Sequence, residues 1–294
     1  MLRFLLALCL LLQALAQNCE DITSQSTCLS KSCAWCTSGA VGNTCLPKAD
    51  AANLPSSVFT CTSNLSAVNY AGQAHVTSSK NSGKGVMDSS TMYVFAYSWS
   101  PGFCGTQPST DPGCQAPENY WTNHFTIHGL WPQYTTTGYP HDCTSEAFDP
   151  NAVAPIGMNN MMEFWPNVQA APDSSNYDDF WTHEWTKHGT CSGLGQTQYF
   201  NTTMNLAHSF PTPAIFTENV GKAVSASDLR NAFGGSTMVS LLCSGGNQLT
   251  GAYTCWTQTN GIPEKQTTCP SSVQQEDTCT SATVNVVAFP ASSK

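Results

Sequence analysis

Fifteen cysteines punctuate this 294-residue chain, and their grouping limits the folds open to it more than any other feature. Cys9 lies in the leading apolar run. The other fourteen fall as six between Cys19 and Cys61 and eight between Cys104 and Cys279, with a cysteine-free gap between the groups. Both groups are even, which in an exported chain points to disulfides and to two separately stapled regions. The first residues suggest export. Met1 to Ala16 sets Arg3 ahead of an apolar run from Phe4 to Leu12 and closes on Ala14-Leu15-Ala16, the pattern of a signal peptide cut before Gln17. That run is too short to span a bilayer, and nothing later reaches about 18 apolar residues, so no membrane anchor is expected. Sequons at Asn64 and Asn201 fit the same route, to a secreted or a lysosomal or vacuolar destination.

This divides the chain into a signal peptide (1–16), a cysteine-rich module (17–62), a linker (63–90) and a larger domain (91–294). Thr77 to Ser90 is rich in Ser, Gly and Lys, as an exposed connection would be. The module is too short to hold a large core and must rely on disulfides. Cys33-x-x-Cys36 has zinc-ligand spacing, but exported cysteines oxidise, so the disulfide reading is preferred. Its Cys-Ala-Trp-Cys core resembles the plexin–semaphorin–integrin type of module. A spacer or folding aid fits it, and so does a binder of an unknown protein or glycan partner.

Loss of Arg3 with the signal moves the net charge from −9 to −10. So acidic a chain cannot hold a polyanion through a broad basic surface. Any nucleic acid must be gripped locally, by a few cations and by stacking.

Trp181-Thr182-His183-Glu184-Trp185-Thr186-Lys187-His188 crowds four ionisable groups into six positions of a chain only 10% charged. On a helix, His183, Glu184, Lys187 and His188 fall within an arc of about 140°. That arrangement is costly for a fold and useful for moving protons around an anion. In His124-Phe125-Thr126-Ile127-His128-Gly129-Leu130-Trp131-Pro132, alternation up to a stop at Gly and Pro predicts a strand. Period-two counting puts Phe125 and Ile127 on the core face and His128 on the other. A strand His meeting a helix His is the minimal kit for general acid–base catalysis. His124 lies about 13 Å of backbone from His128 and is set aside. His75, His141 and His208 are read as ordinary, and Trp165, Trp181 and Trp185 as packing, with Trp121 open. A zinc peptidase needs His-Glu-x-x-His; here Lys187 stands at i+4, so no metal is expected.

Strands are expected at Met92–Trp99, Thr237–Cys243, Gly251–Thr257 and near Thr283–Phe289. Helices are expected at 178–188, 196–209 and 228–233, the last behind Ser225 or Ser227 as cap. The mixture predicts an α+β fold: an antiparallel sheet core with several packed helices, disulfide-rich, preceded by the small module. Of the pairings open to eight cysteines, Cys104–Cys114, Cys143–Cys191, Cys243–Cys279 and Cys255–Cys269 are favoured. The second would tie the two histidine segments together.

His128-Gly129-Leu130-Trp131-Pro132 and His183-Glu184-Trp185-x-Lys187-His188-Gly189-x-Cys191, in this order, resemble the paired signature of the ribonuclease T2 family. The resemblance covers roughly Thr91 to Phe289 and leaves out Cys19 to Cys61. It implies an exported endoribonuclease that needs no cofactor and cuts single-stranded RNA through a 2′,3′-cyclic phosphate. His128 and His188 would exchange protons, with Glu184 and Lys187 beside the phosphate and His183 binding it. We assign His188 as first base and His128 as first acid. Glu184 would be either a protonated donor to the phosphate or a carboxylate orienting His188. Trp131 holds a base-stacking position, with Tyr139 beside it. Gln133 stands where microbial relatives carry an acidic base contact, and Trp99-Ser100-Pro101 replaces a commoner Trp-Pro. DNA, lacking the 2′-hydroxyl, should survive. A recognition or defence protein with secondary or no ribonuclease activity is the alternative from another class.

Overall fold

The structure, a computed structural model, describes residues 90–105 and 110–289, together with 19, 22, 28, 31, 33–37, 44–46, 48–51, 60–63 and 87. The expected signal peptide, the Asn64 sequon, His75 and most of the expected linker lie outside these residues. The chain divides into two units, Met1–Ser79 and Lys80–Lys294. In the first, β1 (Ala34–Thr37) is flanked by antiparallel β2 (Thr44–Leu46) and β3 (Thr60–Ser63). Cys19–Cys33, Cys28–Cys45 and Cys36–Cys61 are bonded, so these six offer no free thiolate to a metal. Trp35 packs on the first two of these bridges.

The second unit is built on β4 (Thr91–Ser98), an eight-residue apolar run that is buried on both faces. Tyr93, Phe95 and Tyr97 enter the main core, whereas Met92 and Val94 face a second cluster with Cys255, Cys269 and Val273. On one side β4 pairs with β5 (Thr126–Tyr134), which is the sheet edge. On the other it pairs with the long β8 (Gln248–Thr259), which also holds β7 (Val239–Ser244) and β9 (Ile262–Thr267). β10 (Thr283–Asn285) and β6 (Ala223–Ser225) complete an almost wholly antiparallel sheet. Five helices of note pack around it: α1 (Ser100–Cys104), α2 (Met158–Phe164), α3 (Asp179–Lys187), α4 (Gln196–Ser209) and α5 (Ala226–Asn231). This is the α+β fold expected. Cys104–Cys114, Cys143–Cys191, Cys243–Cys279 and Cys255–Cys269 are bonded in this unit.

Local patterns explain most elements. Along α4, Tyr199, Phe200, Thr203, Met204 and Leu206 are buried at i, i+3 and i+4 spacings. Ser225 caps α5 by accepting a bond from the Asp228 N–H at 3.3 Å, so the helix begins two residues before the expected start. The expected strand end at Gly129 and Pro132 is overturned, because β5 runs through both to Tyr134. An edge strand has a side without a ladder partner, where a proline costs little. Strand β9 was not foreseen, although Asn260-Gly261 signals its hairpin. Both residues adopt positive φ (52° and 80°), the backbone of a type I′ turn. Among the described residues no helix is long and apolar enough to cross a membrane.

Candidate active site

The register of β4 against β5 decides where His128 points. Ala96 pairs with Gly129 but Tyr97 pairs with Ile127, so His128 is the extra residue of a β-bulge. Ile127 and Leu130, three apart, therefore both enter the main core, and residues 128 and 129 turn to the opposite side. The bulge leaves the His128 carbonyl without a ladder partner, and the Trp165 indole N–H donates to it at 2.9 Å. The Trp181 indole in turn donates to the Trp165 carbonyl at 2.8 Å. These two buried tryptophans, with Trp185, pack the core as read from sequence. Trp121, left open there, is buried too and donates to the Glu163 carbonyl.

Helix α3 supplies the other half. It spans Asp179 to Lys187, so His188 is its C-cap rather than its last helical residue. His183 is exposed, Lys187 half-buried, and Glu184 and His188 are buried. The Glu184 carboxyl reaches β5: its Oε2 accepts the Trp131 indole N–H at 2.7 Å, and its Oε1 lies 3.6 Å from His128 Nε2. Gly129 makes this approach possible, since a Cβ there would overlap both Glu184 Oε2 and Trp131 Nε1. The Trp131 ring stacks on His188, with centroids 5.0 Å apart and planes 23° from parallel, and meets His128 edge-on at 5.2 Å. Both imidazoles thus flank one indole. His183 follows at 6.4 Å from His188.

Burial governs the protonation states. Glu184 is pushed up to about 8 by desolvation, opposed by the Trp131 bond and Lys187, so it is a neutral acid at neutral pH. With its own proton in place and no hydrogen bond to His188, it is better suited to donate than to orient that ring. His188 is drawn down to about 3 by burial and by the charges of Lys187, His183 and His128. His128 is lowered to about 4 by the same causes, burial first. Burial and Lys187 also lower His183, against an upward pull from Asp142. Lys187, set beside imidazoles that a nearby negative charge would help to protonate, makes this a place to receive an anion.

His128, His183, Glu184, Lys187 and His188 line one cavity of about 500 Å³ with Trp131, Gln133 and Tyr139. Tyr139 sits on a loop fixed to α3: the Asp142 N–H donates to the Lys187 carbonyl, the Cys143 N–H to Thr190 Oγ1, and Cys143 is bonded to Cys191. Gln133 is buried and its Nε2 donates to the Gly138 carbonyl at 2.9 Å. Asn201 lies half-exposed on α4, outside the cavity. His124 bonds to Asn123 and stacks on Tyr120, apart from the cavity. Ligand-type atoms of His183, Glu184 and His188 lie within 4.8 Å of one another, near enough for a metal ion. The Lys187 ammonium shares that space and would oppose a dication.

The model of the Ribonuclease T2 family matches residues 90–269. The chain belongs to the Ribonuclease T2 family. Ribonuclease DdI of Dictyostelium discoideum is 33% identical over 197 residues, covering 62% of this chain and 79% of the relative. Ribonuclease 1 of Arabidopsis thaliana is 37% identical over 117 residues, 39% of this chain. The chain spans about half the length of that relative, 48%. A crystal structure of an RNase MC1 mutant in complex with 5′-GMP superposes with TM-score 0.50 at 26% identity, covering 66% of this chain and 99% of that one.

Sequence reasoning missed the other contributors to this T2-family cavity. Ser98 Oγ lies 3.4 Å from His128 Nδ1, and Phe180 meets the same ring edge-on at 5.3 Å. Tyr253, Ser272, Val273 and Glu276 complete the lining, Tyr253 against the Trp131 ring. Only Phe180, within the α3 motif segment, had a local signal; the rest arrive from distant chain.

Proposed function

We propose that this chain is an exported endoribonuclease that cuts single-stranded RNA by transesterification through a 2′,3′-cyclic phosphate. The carrying observation is that His128 and His188, from separate segments, line one cavity with Glu184 and Lys187. RNA brings its own nucleophile, the 2′-hydroxyl. His188 takes that proton, the oxygen attacks phosphorus, and protonated His128 gives a proton to the departing 5′-oxygen. In the second step water opens the cyclic ester with the roles reversed. Lys187 and the protonated Glu184 stabilise the charge that grows on the non-bridging oxygens, where preorganised donors act most strongly. His183 at the mouth binds phosphate, and an arriving phosphate raises the depressed imidazoles toward protonation. Trp131 and Tyr139 hold the neighbouring base, with Gln133 shaping its pocket. No cofactor is required.

The leading segment, 1–16, supports export, and Asn64 and Asn201 are the proposed glycosylation sites. The cysteine-rich module, outside the family match, is a spacer or a contact for a separate protein or glycan partner.

Three strands test the reading: single-stranded RNA, its 2′-O-methyl form and single-stranded DNA, each with and without excess chelator. RNA alone should be cut, leaving 2′,3′-cyclic ends, and chelator should not stop it. Cleavage of the 2′-O-methyl strand, or complete arrest by chelator, would overturn the proposal.

A further inference from the structure

The cavity continues past the acid–base groups to a second wall, and the residues there do not share the work equally. Trp131 gives its N–H to Glu184 and one face to His188. The Gln133 amide is buried and spends a donor on the Gly138 carbonyl, which holds the turn leading to Tyr139. Tyr139 itself is 44% exposed, its ring tilted against His188 at 5.9 Å and His141 at 5.7 Å. The same cavity is lined by Glu276 and by Tyr253, whose ring meets Trp131 edge-on at 5.2 Å.

Glu276 is exposed, yet its backbone is firmly set. Its N–H donates to the Val273 carbonyl at 3.0 Å, an oxygen that also accepts from Ser240 Oγ at 2.8 Å. The segment follows the Cys255–Cys269 bridge, which joins it to β8. The next residue, Asp277, makes a bidentate pair with Arg230 at 2.9 and 2.8 Å. Burial and the Glu276 charge hold the Tyr253 phenol protonated, up to about 12, so this wall presents one donor beside a carboxylate.

A carboxylate on the wall of a cavity that admits a polyanion opposes binding unless it meets donors. Base edges are the donors RNA brings there. Guanine offers two adjacent ones, N1–H and the 2-amino group, which match the two oxygens of a carboxylate. Adenine and cytosine set an amino group beside an acceptor nitrogen. Uracil has one N–H between two carbonyls, which a carboxylate repels.

We infer that Glu276 is a specificity-determining residue that selects guanine next to the scissile phosphate, stacked on Tyr139. The inference rests on the RNA-cleaving reading above.

The test is kcat/KM on GpG, ApA, CpC and UpU for the intact protein and for Glu276→Gln and Glu276→Ala. The intact protein should favour GpG over UpU by about tenfold or more, the scale of one bidentate base contact. Glu276→Ala should reduce that ratio by about the same factor, and Glu276→Gln, which keeps one acceptor, by less. The ratio is taken on one preparation, so partial misfolding cancels. Equal rates on GpG and UpU, or a ratio unchanged in Glu276→Ala, would overturn the assignment. If no preparation cuts these dinucleotides or longer RNA, the underlying reading falls with it.

Discussion

The Trp131 indole nitrogen and Glu184 Oε2, 2.7 Å apart, join the edge strand of the sheet to the helix that carries His183, Glu184 and Lys187. Among the described residues the bond gives a fully buried carboxyl its one protein donor, because Glu184 Oε1 has no hydrogen-bond partner there. A buried acid with so little support keeps its proton.

Trp131→Phe keeps an aromatic ring and removes that donor. Leaving a buried carboxyl unsatisfied costs about 1–3 kcal/mol. Thermal melts should show this loss, and RNA cleavage should fall by about tenfold or more as the carboxyl drifts. Unchanged melting and unchanged cleavage together would mean the bond is dispensable.

His128→Ala and His188→Ala should each slow RNA cleavage by about 10²- to 10⁴-fold, with RNA binding largely retained. Single-turnover rates and a binding titration separate the two effects. Near-normal turnover in both variants would rule out the proton exchange.

Stability should depend on pH with two arms. His128 and His188 are depressed to about 4 and 3, so below about 6.5 the unfolded chain binds protons that the folded one refuses. Stability from these groups is lost as pH falls toward those values. Glu184 is raised to about 8, so its contribution is full below its unfolded value and is lost as pH rises toward 8. The optimum should lie near pH 6 to 7 by these groups. Glu184→Gln, which mimics the neutral acid, should flatten the alkaline arm and leave the acid arm. Melting temperatures across pH 3 to 9 decide this, and an unaltered alkaline arm would contradict a protonated Glu184.

Gly129→Ala should damage the site, since its Cβ would overlap Glu184 Oε2 and Trp131 Nε1 at once. Overpacking costs about 1–3 kcal/mol. Here it also parts the strand from the helix carboxyl, so cleavage should drop by more than the melting shift alone explains. Wild-type cleavage in a folded Ala variant would show that the close approach is unnecessary.

Much of this protein was readable without coordinates. The apolar run at Met92 to Trp99, the periodicity from Gln196 to Ser209 and the even cysteine groups led to a disulfide-rich α+β fold. The two histidine motifs pointed to its family. Less visible was the β9 hairpin, although Asn260-Gly261 announced it, because propensity in Ile262–Thr267 is weak and pairing with β8 overrides it.

By itself the sequence determined which chemical groups the site possesses, since residue types and helical or strand spacing act locally and survive any arrangement of the rest. Only the tertiary structure decided how those groups are brought together. The β-bulge between β4 and β5 sets Gly129 beside His128 on the site face and sends Leu130 into the core, and no period-two count on a single strand can reveal its partner's register. Packing of α3 on β5 buries Glu184 and sets its proton. Tyr253 and Glu276 reach the cavity only because sheet pairing and the Cys255–Cys269 bridge return distant chain to it.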